Sequence, residues 1–318
     1  MGERYPAIEP YESGWLEPGD GQEIYWETCG NPQGRPVLYL HGGPGSGAKP
    51  GIRQLFDPQA YQAVLFDQRG CGRSRPLADH AGVDLSVNTT AHLIRDIEDL
   101  RARLGIERWV VTGVSWGSSL ALAYAQAHPE RVVGIVLAAV TAGRRRETEW
   151  ISNGMRRIFP REWEQFASLV PAAERAGDLS VAYARLLADP DPVVTQRAAS
   201  AWCIWEDTHV SLAPNAGAHY ALKPPVEQQV STRLITHYWG NGSFLDETPV
   251  LENMHRIAHI PGVLVHGRHD VSSPLDTAWD LHQAWPGSRL VVIGDEGHGG
   301  AGMTAAWIDA LDAFRDLS

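Results

Sequence analysis

The sequence lacks an apolar run of about 18 residues, the length a bilayer-spanning helix needs. Its first stretch, MGERYPAIEPYESGWLEPGD, has no basic start followed by an apolar core, so no export signal is read there. The expectation is a soluble, cytoplasmic protein without a membrane partner. Cysteine is scarce: Cys29, Cys71 and Cys203 lie far apart and form no C-x-x-C pair, which argues against a disulfide framework and a zinc cluster and for reduced thiols. Long basic runs are missing too. Beyond Arg144, Arg145 and Arg146 no cationic cluster occurs, and 27 basic against 38 acidic residues leave a formal charge of −11. That balance argues against a nucleic-acid surface and is read as serving solubility. No internal repeat or low-complexity segment is present.

What the sequence does have is 43% hydrophobic content over 318 residues. A chain of that size buries roughly three quarters of the surface its unfolded form exposes, so its core needs no cross-link or structural metal. The length suits one α/β unit carrying an insertion, or two compact units. Short apolar strand-like runs are read at 22–28, 37–40, 64–66, 109–114 and 132–138, with helical patterns at 89–104 and 116–127 between them. This rhythm predicts an α/β fold with a mostly parallel central sheet and helices on both faces. From about residue 141 to 245 the pattern turns helical, with Pro-rich breaks at 189–192 and 223–225. Strand patterns return at 263–266 and 290–293, and a last helix is read at 303–314. The predicted organisation is a catalytic core of 1–140 and 246–318 with a helical cap of 141–245 inserted into it.

Gly113-Val114-Ser115-Trp116-Gly117 is a G-x-S-x-G sequence between an expected strand and an expected helix, the context of a nucleophile elbow. Such a turn strains its central residue and needs small neighbours on either side. The start of the following helix offers free N–H groups and partial positive charge to a developing oxyanion. Two later loops complete the pattern. Gly267-Arg268-His269-Asp270 follows the run at 263–266, and Gly294-Asp295-Glu296-Gly297-His298 follows that at 290–293. Ser, then acid, then His is the chain order of an α/β-hydrolase. Ser115 is therefore read as nucleophile, His298 as general base and Asp270 as the residue that orients it. His266 and His269 near Asp270, and Asp295 and Glu296 near His298, are the competing assignments. A metal site built from His266, His269, Asp270 and His298 is disfavoured, because their spacing matches no helical zinc pair.

His41-Gly42-Gly43-Pro44-Gly45-Ser46-Gly47 follows the run at 37–40 and suits the other half of an oxyanion hole. The N–H groups of Trp116 and Gly43 are the expected donors, with Gly42 the alternative to Gly43. A phosphate loop is set aside because no Gly-Lys-Ser/Thr follows.

Taken together, HGGPGSG, FDQRGCGRSRP (66–76), NTT (88–90), GVSWGSSLALAYAQAHPERV (113–132), HIPGVLVHGRHD (259–270) and GHGG (297–300) resemble the proline iminopeptidase, or prolyl aminopeptidase, family. The resemblance runs from about residue 5 to the C-terminus and covers the whole catalytic core. It implies an α/β-hydrolase with a helical cap that releases an N-terminal residue, usually proline, from a small-molecule or short peptide substrate. It places the triad on Ser115, Asp270 and His298 and implies no cofactor or metal. It also implies that the glutamate of the W-x-x-W-E segment, here Glu206 in Trp202-Cys203-Ile204-Trp205-Glu206, meets the substrate's free amino group. The family usually has a second glutamate two residues before a His-Tyr pair; here Ile235 stands at that place before His237 and Tyr238. Trp150 and Trp239, with Trp202 and Trp205, are candidates to wall an apolar substrate pocket, and helical core is the rival reading for all four. Cys203 is read as a buried small hydrophobe.

Two other functions stay open on the sequence. One keeps the chemistry with a different substrate, as an esterase, lactonase or amino-acid amidase. The other is a non-catalytic ligand-binding protein on the same scaffold. Epoxide hydrolases and dehalogenases are set aside because their elbow requires a carboxylate and this one carries serine.

Overall fold

Strands that are buried on both faces read as continuous apolar runs, and four such runs form the centre of an eight-stranded sheet. The computed structural model describes residues 3–210, 212, 219–247 and 249–317. Its strands are β1 (Glu12–Leu16), β2 (Ile24–Gly30), β3 (Arg35–Leu40), β4 (Tyr61–Phe66), β5 (Trp109–Val114), β6 (Val132–Ala138), β7 (Gly262–Gly267) and β8 (Ser288–Ile293). They lie in the order β1-β2-β4-β3-β5-β6-β7-β8. Only β2 runs against the others; β3, β4, β5, β6, β7 and β8 are mutually parallel.

The helices are α1 (Thr90–Arg103), α2 (Trp116–Ala127), α3 (Arg145–Ser152), α4 (Pro160–Ala167), α5 (Leu179–Leu186), α6 (Pro192–Val210), α7 (Pro225–Gly240), α8 (Leu275–Ala284) and α9 (Ala301–Phe314). Alternate strand residues face opposite layers. Leu38, Leu40, Val111, Ile135 and Leu264 pack under α1, α2 and α8, whereas Val37, Tyr39, Val110, Val136 and Val263 pack under α9. In α1, Leu93, Ile97 and Leu100 form the buried stripe, the Thr89 side chain caps the start by accepting from the His92 N–H, and Gly105 at φ 65° follows the end.

Helices α3 to α7 all lie between β6 and β7 and have an aromatic core of their own. Phe166 stacks on Tyr183 at 4.6 Å and on Trp205 at 5.2 Å, with Trp202 edge-on at 5.3 Å. Helix α7 is tied to the sheet side through Asn88: Tyr238 donates its hydroxyl to Asn88 Oδ1 at 2.7 Å, and the His237 ring donates to the Asn88 carbonyl at 2.8 Å.

Two elements were not anticipated. β1 is a mostly exposed edge strand without a full apolar alternation, and α8 mixes Asp276, Asp280 and His282 with its few buried residues. All three cysteines are free and buried. Among the described residues no helix is long and apolar enough to cross a membrane, and no cluster of His, Cys, Asp and Glu forms a metal site.

Candidate active site

The turn between β5 and α2 holds Ser115 at φ 54° and ψ −126°, a conformation a non-glycine residue adopts only when its surroundings enforce it. Those surroundings are visible. The Ser115 N–H donates to the Ala138 carbonyl at 3.1 Å, and the Ser115 carbonyl accepts from the Ser118 hydroxyl at 2.6 Å and the Thr141 hydroxyl at 2.8 Å. Packing is as tight as the sequence required. A Cβ on Gly113 would stand 2.2 Å from the Gly117 carbonyl oxygen, and one on Gly117 would stand 2.0 Å from that of Leu40.

From this turn Ser115 Oγ reaches His298 Nε2 at 3.0 Å, and His298 Nδ1 reaches Asp270 Oδ2 at 2.8 Å. Asp270 Oδ1 accepts from the Ser273 N–H at 2.8 Å, which anchors the carboxylate oxygen that His298 does not meet. Burial raises the Asp270 pKa, but the charge and hydrogen bond of His298 outweigh it and hold the carboxyl below its ordinary range. Burial likewise opposes protonation of His298, yet Asp270 prevails and lifts that imidazole above the usual histidine value.

The rival groups are engaged elsewhere or face outward. His266 accepts from the Val140 N–H and donates to the Ser273 carbonyl, and burial holds its pKa below the usual histidine value although Asp270 Oδ2 lies 3.6 Å from its Nε2. Glu296 caps α9 by accepting from the N–H groups of Gly302 and Met303. His269 and Asp295 are exposed.

Opposite the elbow, the loop after β3 brings Gly42 and Gly43 to the same cavity. Gly43 has φ 111°, and a Cβ there would meet the Gly45 nitrogen at 2.6 Å. Among the described residues no acceptor meets the N–H of Gly43 or Trp116, so both stay available to an incoming oxyanion. Gln68 ties the two sides together. Its side-chain carbonyl accepts from Trp116 Nε1 at 2.9 Å, its side-chain N–H donates to the His41 carbonyl at 2.9 Å, and its backbone N–H donates to His41 Nε2 at 3.0 Å.

The cavity above Ser115 has a volume of about 270 Å³ and is walled by the inserted helices. Glu206 projects into it from α6 and is only 6% exposed. Burial pushes the Glu206 carboxyl up to about 7, against the Trp202 Nε1 hydrogen bond at 3.1 Å and the positive charge His298 can carry. Ile235 and Trp239, from α7, line the same space. A buried carboxylate a short way from a nucleophile suits a substrate that brings a cation.

A family model of the α/β-hydrolase fold matches residues 35–301. A Streptomyces coelicolor protein named as a probable proline iminopeptidase is 50% identical over 98% of this chain and 97% of its own length. The proline iminopeptidase of Xylella fastidiosa is 45% identical over 98% of each. The chain belongs to the proline iminopeptidase family. Membership makes it a hydrolase of the α/β class. The crystal structure of the Mycobacterium smegmatis proline iminopeptidase has the same fold, with a TM-score of 0.63 at 21% identity over 96% of this chain and 99% of that one.

Within this family member, Trp150 falls outside the cavity. Its Nε1 donates to the Val271 carbonyl at 2.7 Å, and its neighbours Thr148 and Ile151 reach the cavity instead. Trp202 and Trp205 sit in the aromatic core of the insertion. Sequence reasoning missed His209. It lines the cavity one turn beyond Glu206, its Nδ1 pairs with the Ser272 hydroxyl, and its buried Nε2 has no partner among the described residues. Burial lowers its pKa to about 3, so it is neutral. The spacing of Trp202, Glu206 and His209 along one helix face was the available signal.

Proposed function

We propose that this chain is a proline iminopeptidase that works through an acyl-enzyme on Ser115. His298 takes the Ser115 proton as Oγ attacks the carbonyl carbon of the substrate's N-terminal residue, and Asp270 stabilises the imidazolium. The N–H groups of Gly43 and Trp116 stabilise the oxyanion, and His298 then protonates the departing amine. Water, deprotonated by the same histidine, releases the acyl group. Glu206 accepts a charge-assisted hydrogen bond from the substrate's free amine, so only a chain's first residue fits. Residues 141–245 act as the cap that closes the pocket and excludes water.

One observation carries this reading: Glu206 shares a single cavity with Ser115 and His298, the histidine being held from behind by Asp270. The names of the close relatives support proline as the released residue. Ile235, where the family usually has a second glutamate, favours a second reading, an esterase or amidase with looser demands on the amine. Side-by-side kinetics on prolyl and alanyl arylamides and on a simple p-nitrophenyl ester separate the two. The proposal expects the prolyl arylamide to have the highest kcat/KM of the arylamides. Fast ester turnover with no arylamide cleavage would replace it with the second reading.

A further inference from the structure

The chain contains only two lysines, Lys49 and Lys223, against a large complement of arginine. They are 174 positions apart in sequence, yet both line one groove of about 350 Å³ next to the catalytic cavity. Lys49 lies at the junction, because it lines the cavity and the groove alike, as do Ser46 and Gly47. Lys223 reaches the junction from the other side. Its ammonium sits 4.2 Å over the ring of Tyr220, which is itself a wall of the catalytic cavity.

Neither lysine is held in an ion pair among the described residues, where every ion pair uses arginine or histidine as its cation. Lys223 has one hydrogen bond, to the Ser231 hydroxyl at 3.3 Å. Of the other charges in the groove, Asp67 is committed to Arg73 and to the Ala48 N–H, and Arg73 to Asp67 and Glu27. Glu227 is exposed and pairs with neither lysine. Burial holds Lys223 below the usual lysine range and the like charge of Lys49 pushes it the same way, against the opposing pull of Cys203, Glu227 and Glu206. Two ammonium groups that line one groove and meet no carboxylate among the described residues, in a chain whose formal charge is −11, make a local site for an anion.

We propose that Lys49 and Lys223 form a carboxylate-binding subsite for the leaving fragment, so that the preferred substrate is a di- or tripeptide with a free C-terminal carboxylate. This rests on the aminopeptidase reading above. Glu206 then holds the positive end of a short zwitterion and the lysines its negative end, with the scissile bond between them at Ser115. Lysine suits this role, because a mobile ammonium follows carboxylates at slightly different reach.

The test compares Pro-Gly with Pro-Gly-amide, and Pro-Gly-Gly with Pro-Gly-Gly-amide, together with a neutral prolyl arylamide, on the wild type, Lys49→Met and Lys223→Met. The wild type should favour the free acid over the amide by about tenfold in kcat/KM for at least one length, the size of a charge-assisted hydrogen bond. Each substitution should move that ratio towards one. An acid-to-amide ratio near one for both lengths in the wild type, while the prolyl arylamide is cleaved, overturns the subsite and leaves the aminopeptidase reading standing. A high ratio that neither substitution lowers also overturns it. Absent turnover of every prolyl substrate removes the aminopeptidase reading, and the subsite with it. Should Lys223→Met misfold, the wild-type ratio and the exposed Lys49 decide the matter.

Discussion

Gln68 accepts a hydrogen bond from the indole N–H of Trp116 at 2.9 Å and donates its own amide to the carbonyl of His41 at the same distance. One buried side chain thus joins the two loops that carry the proposed oxyanion donors. Gln68→Leu leaves the Trp116 indole and the His41 carbonyl without partners. We expect a stability loss of about 1–3 kcal/mol and a fall in kcat of about tenfold or more, since oxyanion donors must be well aimed. Thermal melts and steady-state kinetics read both. Lost stability with unchanged kcat would mean that the two loops hold their geometry independently.

The acid limb of the pH profile should depend on the substrate. His298 must be neutral to accept the Ser115 proton, and it is held above the ordinary histidine value of 6.5 by Asp270 after the opposing effect of burial. Glu206 must be ionised to hold an ammonium, and burial lifts it to about 7. Both groups gain a proton as pH falls, and both losses act in the same direction. For a free-amine substrate, log kcat/KM should therefore fall with a slope steeper than one below pH 7, whereas an ester without an amine should show a slope of one. Equal slopes for the two substrates would take Glu206 out of substrate recognition.

Ile235→Glu puts a second carboxylate into the cavity that Glu206 occupies. Like charges raise each other's pKa, so the acid limb on a prolyl arylamide should move up by about one unit. Because Ile235 is only 2% exposed, the melting temperature should fall as well. An acid limb that stays in place would show that position 235 does not face the amine.

The sequence was most informative where burial is complete. β3, β5, β6 and β7 are enclosed on both faces, so their apolar runs stand out from the loops that bound them. Ser115, Asp270 and His298 were legible because each follows a strand in the order the fold demands, and their side chains meet within 3.0 Å. β1 and α8 lacked that signal, being half-exposed with mixed composition. Trp150 shows the limit of reading a helix without its phase. α3 turns Thr148 and Ile151 towards the cavity and Trp150 away from it, an orientation set by tertiary contacts such as the bond to Val271. His209 was hidden for a related reason, since its partner Ser272 lies 63 positions away on the loop after Asp270.

Turnover of a prolyl arylamide by Ser115→Ala tests the central claim most directly. The account predicts a kcat lower by a factor on the order of 10⁵ to 10⁶, with the melting temperature preserved or raised because alanine keeps the fold and removes only the hydroxyl. Activity within tenfold of the wild type would contradict the assignment of Ser115 as nucleophile.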